Sequence, residues 1–551
     1  MTPLAALDQA KDAYGPECAE AKLVLLRRLE RTRLGSARRV ARLHEVLGFL
    51  RAYPDDARVL EQVERMLARF PRRADLRQHR TSLADTGLAG TTVRYRFFWP
   101  TALWLAQRWP DQLRLDHHDA DAEAKIGAAL PLLAPWIDAV ALRESARSGF
   151  AALDRLRGRS ETDAACFIRC IKAMPGDTFT REAFHDAIDA TYTLGLGPGL
   201  PSRTEAKDWT TPVVFQRGPL RHHRPDLRKE LCRPPRAVRV LTLARGRRLV
   251  ELARGAMVTR ARDLDAFAYG DPRDVRVVED DDGGLRFVVI GMVPERRALL
   301  PAIYGVLTLR NGVPIGYAQV DALGRSAAIS FNTFETYRGG EAAIVFARVL
   351  AMARHLFGAE SFSIEPYQLG RGNAEGIASG AWWFYYKLGF RPRARVARQL
   401  VRRELARQRA TPYHRSSAET LRKLAEWHLF FELDASCRRG LPPTAALGWR
   451  VARTLAARAG AGPGHALRQS EREAMRLCGL RSLAGFTRGE RLAWRRWSPL
   501  VIALPGVSRW SPADRRALVG IVRAKGGIRE SDFATRFIAH PRLGPELLEE
   551  P

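Results

Sequence analysis

Apolar residues recur at helical spacing through the first 85 residues. Ala21–Leu34, Arg42–Tyr53 and Val59–Phe70 each repeat them every three or four positions, and Pro54-Asp55-Asp56 and Pro71 break the runs. No fixed period returns, so a small helical bundle is expected over 1–85 rather than a repeat array. Residues 86–235 are mixed and mainly helical in pattern. From 236 the period shortens. Ala237–Leu243 alternates in part, and Leu285–Val293 is a β run after the hairpin-like turn Glu279–Gly284. Tyr304–Leu309 and Val313–Val320 flank Asn311-Gly312, whose tolerance of positive φ suits the twist of a hairpin.

A strand over Ala327–Phe334 follows, then the turn Glu335-Thr336-Tyr337-Arg338-Gly339-Gly340. A long helix carries Ile344, Val345, Phe346, Val349, Leu350, Ala353 and Leu356 and stops at Gly358, before a second strand at Phe362-Ser363-Ile364. Strand, glycine turn, helix and strand make a βαβ unit. Its helix start offers unpaired N–H groups and a positive dipole end to an anion. Beyond Pro392, RPRARVARQLVRRELARQRA reads as a helix with Val396, Leu400, Val401 and Leu405 as a narrow apolar stripe. Ser416…Glu419 fits a capping box before a helix through Leu424, Trp427, Phe430 and Phe431. Further helices are expected over Pro443–Arg458, after the Thr487…Glu490 capping pair, and after Ser511-Pro512.

Two segments of this core carry a family pattern. Tyr337-Arg338-Gly339-Gly340-Glu341-Ala342 lies at the turn, and Tyr385-Tyr386-Lys387-Leu388-Gly389-Phe390 closes the aromatic segment after the second strand. Residues from about Tyr304 to Pro392 resemble the core of the GNAT superfamily of acyl-CoA-dependent N-acyltransferases. The resemblance implies an α/β fold: a GNAT-like mixed sheet with a central βαβ unit, flanked by N- and C-terminal α-helical domains. The domains would be 1–85 (helical bundle), 86–235 (mixed, mainly helical), 236–395 (GNAT-like) and 396–551 (basic helix plus helical domain). It implies acetyl-CoA or another acyl-CoA as donor. Arg338, Gly339, Gly340 and Ala342 would hold its diphosphate, and the strand amides of Ser330, Phe331 and Asn332 its pantetheine arm. Tyr385 would protonate the leaving thiolate, and Glu335 would take the proton of an amine acceptor, with Glu365 as its rival. The chain departs from the family pattern at Tyr337, where Gln or Arg is usual, and at Ala378, where Asn is frequent. Glu341 puts a negative charge at the phosphate position, which Arg338 is placed to offset. Two other readings follow from the same residues: a noncatalytic, degenerate GNAT-fold scaffold that binds RNA or protein, or an aminoacyl-type transferase.

Composition narrows the classes. With 551 residues, 46% hydrophobic and 27% charged, the chain is an ordinary globular protein of several domains. No secretory leader opens it, and the apolar stretch Ile126–Leu142 is cut by Pro131, Pro135 and Asp138, so no membrane span and a cytoplasmic location are expected. Six cysteines are too few for a disulfide framework, and Cys166 and Cys170 have neither redox nor zinc spacing. No metal ligand set is expected; His117-His118-Asp119-Ala120-Asp121 reads as a solvated acidic turn. The net charge of +30 predicts salt-sensitive, nonspecific nucleic-acid binding, although an Arg- and Ala-rich composition spreads it over most segments. Residues 391–415 concentrate nine arginines against Glu404, as a solvated helix face or a basic rim for a polyanion such as RNA.

Overall fold

The computed structural model describes residues 1–144, 148–280, 283–338, 341–411, 413–434, 444–458 and 462–548. The chain divides into two compact units. The first comprises Met1–Pro219, Arg247–Tyr269 and Arg310–Pro314; the second comprises Leu220–Gly246, Gly270–Leu309 and Ile315–Pro551.

The first unit opens with helices at Pro3–Ala10, Pro16–Arg31, Ala37–Ala52 and Ala57–Arg69. Leu23, Leu26, Leu43, Leu47, Val59 and Val63 share one buried cluster, the inward stripe of these amphipathic helices. The Pro54-Asp55-Asp56 break has two uses. Asp56 caps the fourth helix by accepting the Val59 N–H at 2.8 Å. Asp55 neutralises Lys22, a fully buried lysine whose ammonium also donates to the carbonyls of Lys11 and Ala13. A second layer of the unit holds a small sheet in the order β1-β3-β2, from β1 (Thr92–Tyr95), β2 (Leu113–Leu115) and β3 (Tyr192–Gly195). Helices at Ala120–Leu133, Gly149–Leu156, Asp163–Ala173 and Thr178–Ile188 accompany it. The aromatic, arginine-rich stretch around Phe97 and Trp99 packs into this core.

The second unit is built on a mixed nine-stranded sheet. Its strands are β4 (Ala237–Val240), β5 (Gly270–Asp280), β6 (Leu285–Met292), β7 (Ala302–Arg310), β8 (Val313–Leu323), β9 (Ser326–Thr333), β10 (Ser361–Ile364), β11 (Arg391–Pro392) and β12 (Leu429–Glu432). Their order is β11-β12-β10-β9-β8-β7-β6-β5-β4. The β7–β8 turn is the expected one, with Asn311 at φ 50° and Gly312 at φ 79°. β8 and β9 pair antiparallel from Gly316↔Thr333 to Leu323↔Ser326, whereas β9 and β10 run parallel. The link between them is the crossover helix Ala342–Phe357, so the βαβ unit is present; Gly358 ends that helix at φ 68°.

β8 and β9 alternate cleanly. Ala318, Val320, Ala322, Ala327 and Ile329 are buried, while Tyr317, Gln319, Asp321, Ser330 and Asn332 stay partly exposed. The apolar face takes the crossover helix, whose Phe346 ring meets Phe331 at 5.2 Å and Phe390 at 5.9 Å. Burying such a side chain stabilises the fold by about 2–3 kcal/mol.

Three expectations need correction. The helix predicted through Trp427, Phe430 and Phe431 ends at Leu424, and Leu429–Glu432 becomes β12, antiparallel to both β10 and β11. Phe430 and Phe431 thus serve opposite faces of a strand instead of one helix stripe. The cap of that short helix is Ser417, bonded to the Thr420 N–H, and Ser416 instead donates to Glu404 at 2.5 Å. A helix, Leu243–Val258, also interrupts the run of strands expected from 236 onward. The arginine helix forms as expected, over Arg395–Ala410.

After it come helices at Thr444–Ala456, Pro463–Leu477, Arg488–Ile502, Pro512–Gly526 and Glu530–Ala539, with the Thr487–Glu490 capping box and the Ser511 cap in place. A buried ion pair ties the last two to the sheet region: Lys525 Nζ lies 2.5 Å from Glu530 Oε1 and donates to the carbonyls of Leu300 and Pro301. Beside it, Asp274 on β5 accepts the Tyr304 hydroxyl at 2.6 Å and the Glu530 N–H at 3.2 Å.

Candidate functional site

Parallel β9 and β10 pair over three rows only, Ser326↔Ser361, Ala327↔Phe362 and Ala328↔Ser363. β9 then runs on to Thr333, still bonded to β8, with no sheet partner on its β10 side among the described residues. In an antiparallel pair alternate residues turn their N–H and C=O groups outward. Ser330, Phe331 and Asn332 therefore stand along an unpaired strand edge, as a ligand held by main-chain bonds requires. β10 ends at Ile364, so this edge runs past the end of the strand to which the crossover helix leads.

The helix start is less open. Glu341 sits at its N-cap position, 7% exposed, and makes no capping bond. Its carboxylate accepts from the Arg221 main-chain N–H at 3.3 Å and from Arg221 Nε at 3.1 Å. Arg338 does not offset Glu341, as had been expected. It donates to the Thr333 carbonyl at 3.2 Å and pairs with Glu375. Ala342 is the first helical residue, half-buried; Gly339 and Gly340 lie outside the described residues.

Tyr385, on the helix Ala381–Lys387, is 3% exposed. Its ring is flanked by Phe346 at 5.3 Å, Phe384 at 5.2 Å and Phe390 at 6.0 Å. Burial raises its pKa, so the phenol stays protonated, and its hydroxyl has no hydrogen-bond partner among the described residues. The ring is packed as a core residue is, while its proton is uncommitted. Asn373, the asparagine nearest to the family position, caps the short helix Ala374–Ser379 and donates to the Tyr367 carbonyl.

Glu335 opens a short 3-10 turn, Glu335–Tyr337, and is exposed. A stronger carboxyl lies elsewhere. Asp321 on β8 stands in one row with Ala328 and Ser363, so its side chain projects from the polar face of the sheet at the last row that β9 shares with β10. Burial pushes its pKa up to about 6, and the nearby Glu365 charge adds to the rise, although Gln319 Nε2 donates to it at 2.9 Å. Glu365 follows β10 and is exposed. His428 stacks on Phe430, and burial holds its pKa below the usual imidazole value, so it is neutral near pH 7. Sequence reasoning missed Asp321 and His428. The only signal was the alternation Tyr317, Gln319, Asp321, which any half-exposed strand shows.

Beyond β10, Gly370, Arg371, Asn373, Arg422, Glu426 and Trp427 help line an open cavity of about 820 Å³. Among the described residues, no group of three or more His, Cys, Asp or Glu could hold a metal ion, and no helix is long and apolar enough to cross a membrane. His117 pairs with Asp163 at 2.7 Å, and Asp119 caps the helix that follows. No family model, curated protein or solved structure matches the chain.

Proposed function

We propose that the second unit is an acyl-CoA-dependent N-acyltransferase acting on an amine whose identity is open. The observation that carries this reading is the edge of β9 that runs on past the end of β10, unpaired beyond Ala328, beside the helix that connects the two strands. An extended pantetheine arm would bond the free edge at Ser330–Asn332, and its thioester would lie beside that edge. The amine would approach from the polar face, where Asp321 takes its proton. Nitrogen attacks the thioester carbonyl, the C–S bond breaks, and the departing thiolate takes the proton of Tyr385. A phenol kept neutral by burial suits that step. Holding both reactants in one cleft supplies much of the acceleration.

One specific observation favours a second reading, a noncatalytic scaffold of the same fold. The Glu341–Arg221 pair occupies the helix start where a diphosphate would dock, and a carboxylate there repels phosphate. Release of free thiol from acetyl-CoA by the full chain, with a panel of primary amines, tests the first reading. Amine-dependent release above the hydrolytic background supports transfer. No release with any amine, despite donor binding, supports the scaffold.

A further inference from the structure

Beyond acyl transfer, and using none of the groups assigned to it, we propose that the arginine helix and the cavity beside Trp427 together bind single-stranded nucleic acid. Arg395, Arg398, Arg402 and Arg409 fall on one side of the helix, at steps of one, one and two turns. All four are exposed, and none has an acidic partner among the described residues. The acid of this helix, Glu404, is fully buried and already satisfied by Arg407, His414 and Ser416. The result is an uncompensated cationic stripe about 21 Å long at 1.5 Å per residue.

A cavity lies one helix away from the stripe's helix. The helix Ala418–Leu424 packs against both the arginine helix and the helix Ala374–Ser379, and the cavity lies along the latter contact. Its wall presents Arg371, Arg422 and Glu426, whose side chains make no hydrogen bond or close ion pair among the described residues, together with the half-buried indole of Trp427. An indole and guanidinium planes stack bases, a carboxylate accepts from exocyclic amino groups, and a row of arginines follows phosphates. A duplex would have no unstacked base for the cavity, whereas a single strand can place one there. An acidic peptide would match the stripe and leave Trp427 unused.

The test is fluorescence anisotropy of a labelled ten-nucleotide RNA with the full chain across a salt series. Neutralising Arg395, Arg398, Arg402 and Arg409 to Gln is expected to weaken binding and reduce the slope of log affinity against log salt by about 3. Trp427→Ala is expected to weaken binding about tenfold with the slope unchanged. A control neutralises Arg27, Arg28, Arg38 and Arg39, four exposed arginines of the first unit, and is expected to change neither quantity. The proposal is overturned if the control weakens binding as much as the stripe variant, or if Trp427→Ala has no effect. Full competition by a poly-glutamate peptide, or by CoA at micromolar concentration, also overturns it, assigning the surface to a protein partner or the cavity to the acyl donor.

Discussion

The Glu341 carboxylate and the Arg221 guanidinium meet 3.1 Å apart at the first turn of the crossover helix, where 120 residues of chain separate them. Glu341 is 7% exposed and Arg221 reaches toward solvent. A helix start is electropositive, so a carboxylate there is stabilised while it excludes a second anion. Glu341→Gln removes the repulsion between this carboxylate and a phosphate. CoA affinity should rise about fivefold or more, read by calorimetry, at a stability cost of about 1 kcal/mol. Unchanged or weaker binding would show that no diphosphate docks at this helix.

Tyr385→Phe keeps the ring against Phe346, Phe384 and Phe390 and removes a hydroxyl that has no partner. Stability should therefore change by less than about 0.5 kcal/mol. Turnover should fall about a hundredfold or more while donor affinity holds. Steady-state thiol release, with thermal denaturation as the control, reads both.

Asp321 gives the pH dependence. Its folded pKa of about 6 exceeds the ordinary 3.8, so the folded chain holds this proton more tightly than the unfolded one. The stabilisation is present below about pH 4 and is lost as pH rises through 6. Asp321→Asn should thus stabilise the protein at pH 7 by on the order of 1–3 kcal/mol and change little at pH 4. Wild-type kcat/KM should fall below about pH 6 as the base becomes protonated, and that limb should vanish in the Asn variant together with most of the activity. A profile whose acid limb survives the substitution would exclude Asp321 as the base.

The Lys525–Glu530 pair is structural. Both residues are buried, and Arg297 Nε lies 3.8 Å from Glu530. Lys525→Met leaves a buried carboxylate poorly compensated and should cost about 3–5 kcal/mol in urea denaturation, whereas Lys525→Met with Glu530→Leu should recover part of the loss. An additive double variant would mean the two charges do not support each other.

Legibility in the sequence followed the range of the interaction. The Asn311-Gly312 hairpin, the Gly358 stop and the Thr487–Glu490 box are local, and each is present in the structure. Phe430 and Phe431 were misread because the three-residue apolar run Leu429–Phe431 has no period of its own; its pairing with Phe362 and Ser363, far back in the chain, makes it a strand. The strand and helix of the candidate site were legible, since glycine turn and apolar helix adjoin in sequence. Its electrostatics were not. Arg338 turned to Glu375 and Arg221 came to Glu341 through tertiary placement, which no spacing rule encodes. Asp321 gains its raised pKa from burial and from Glu365, just past the end of β10.

The most direct measurement is calorimetric titration of the full chain with acetyl-CoA and with CoA. Binding at a single site, with CoA displacing acetyl-CoA and Glu341→Gln tightening both, is the predicted result. No heat from either up to millimolar concentration, in the wild type and in Glu341→Gln alike, would contradict a thioester site on the free edge of β9.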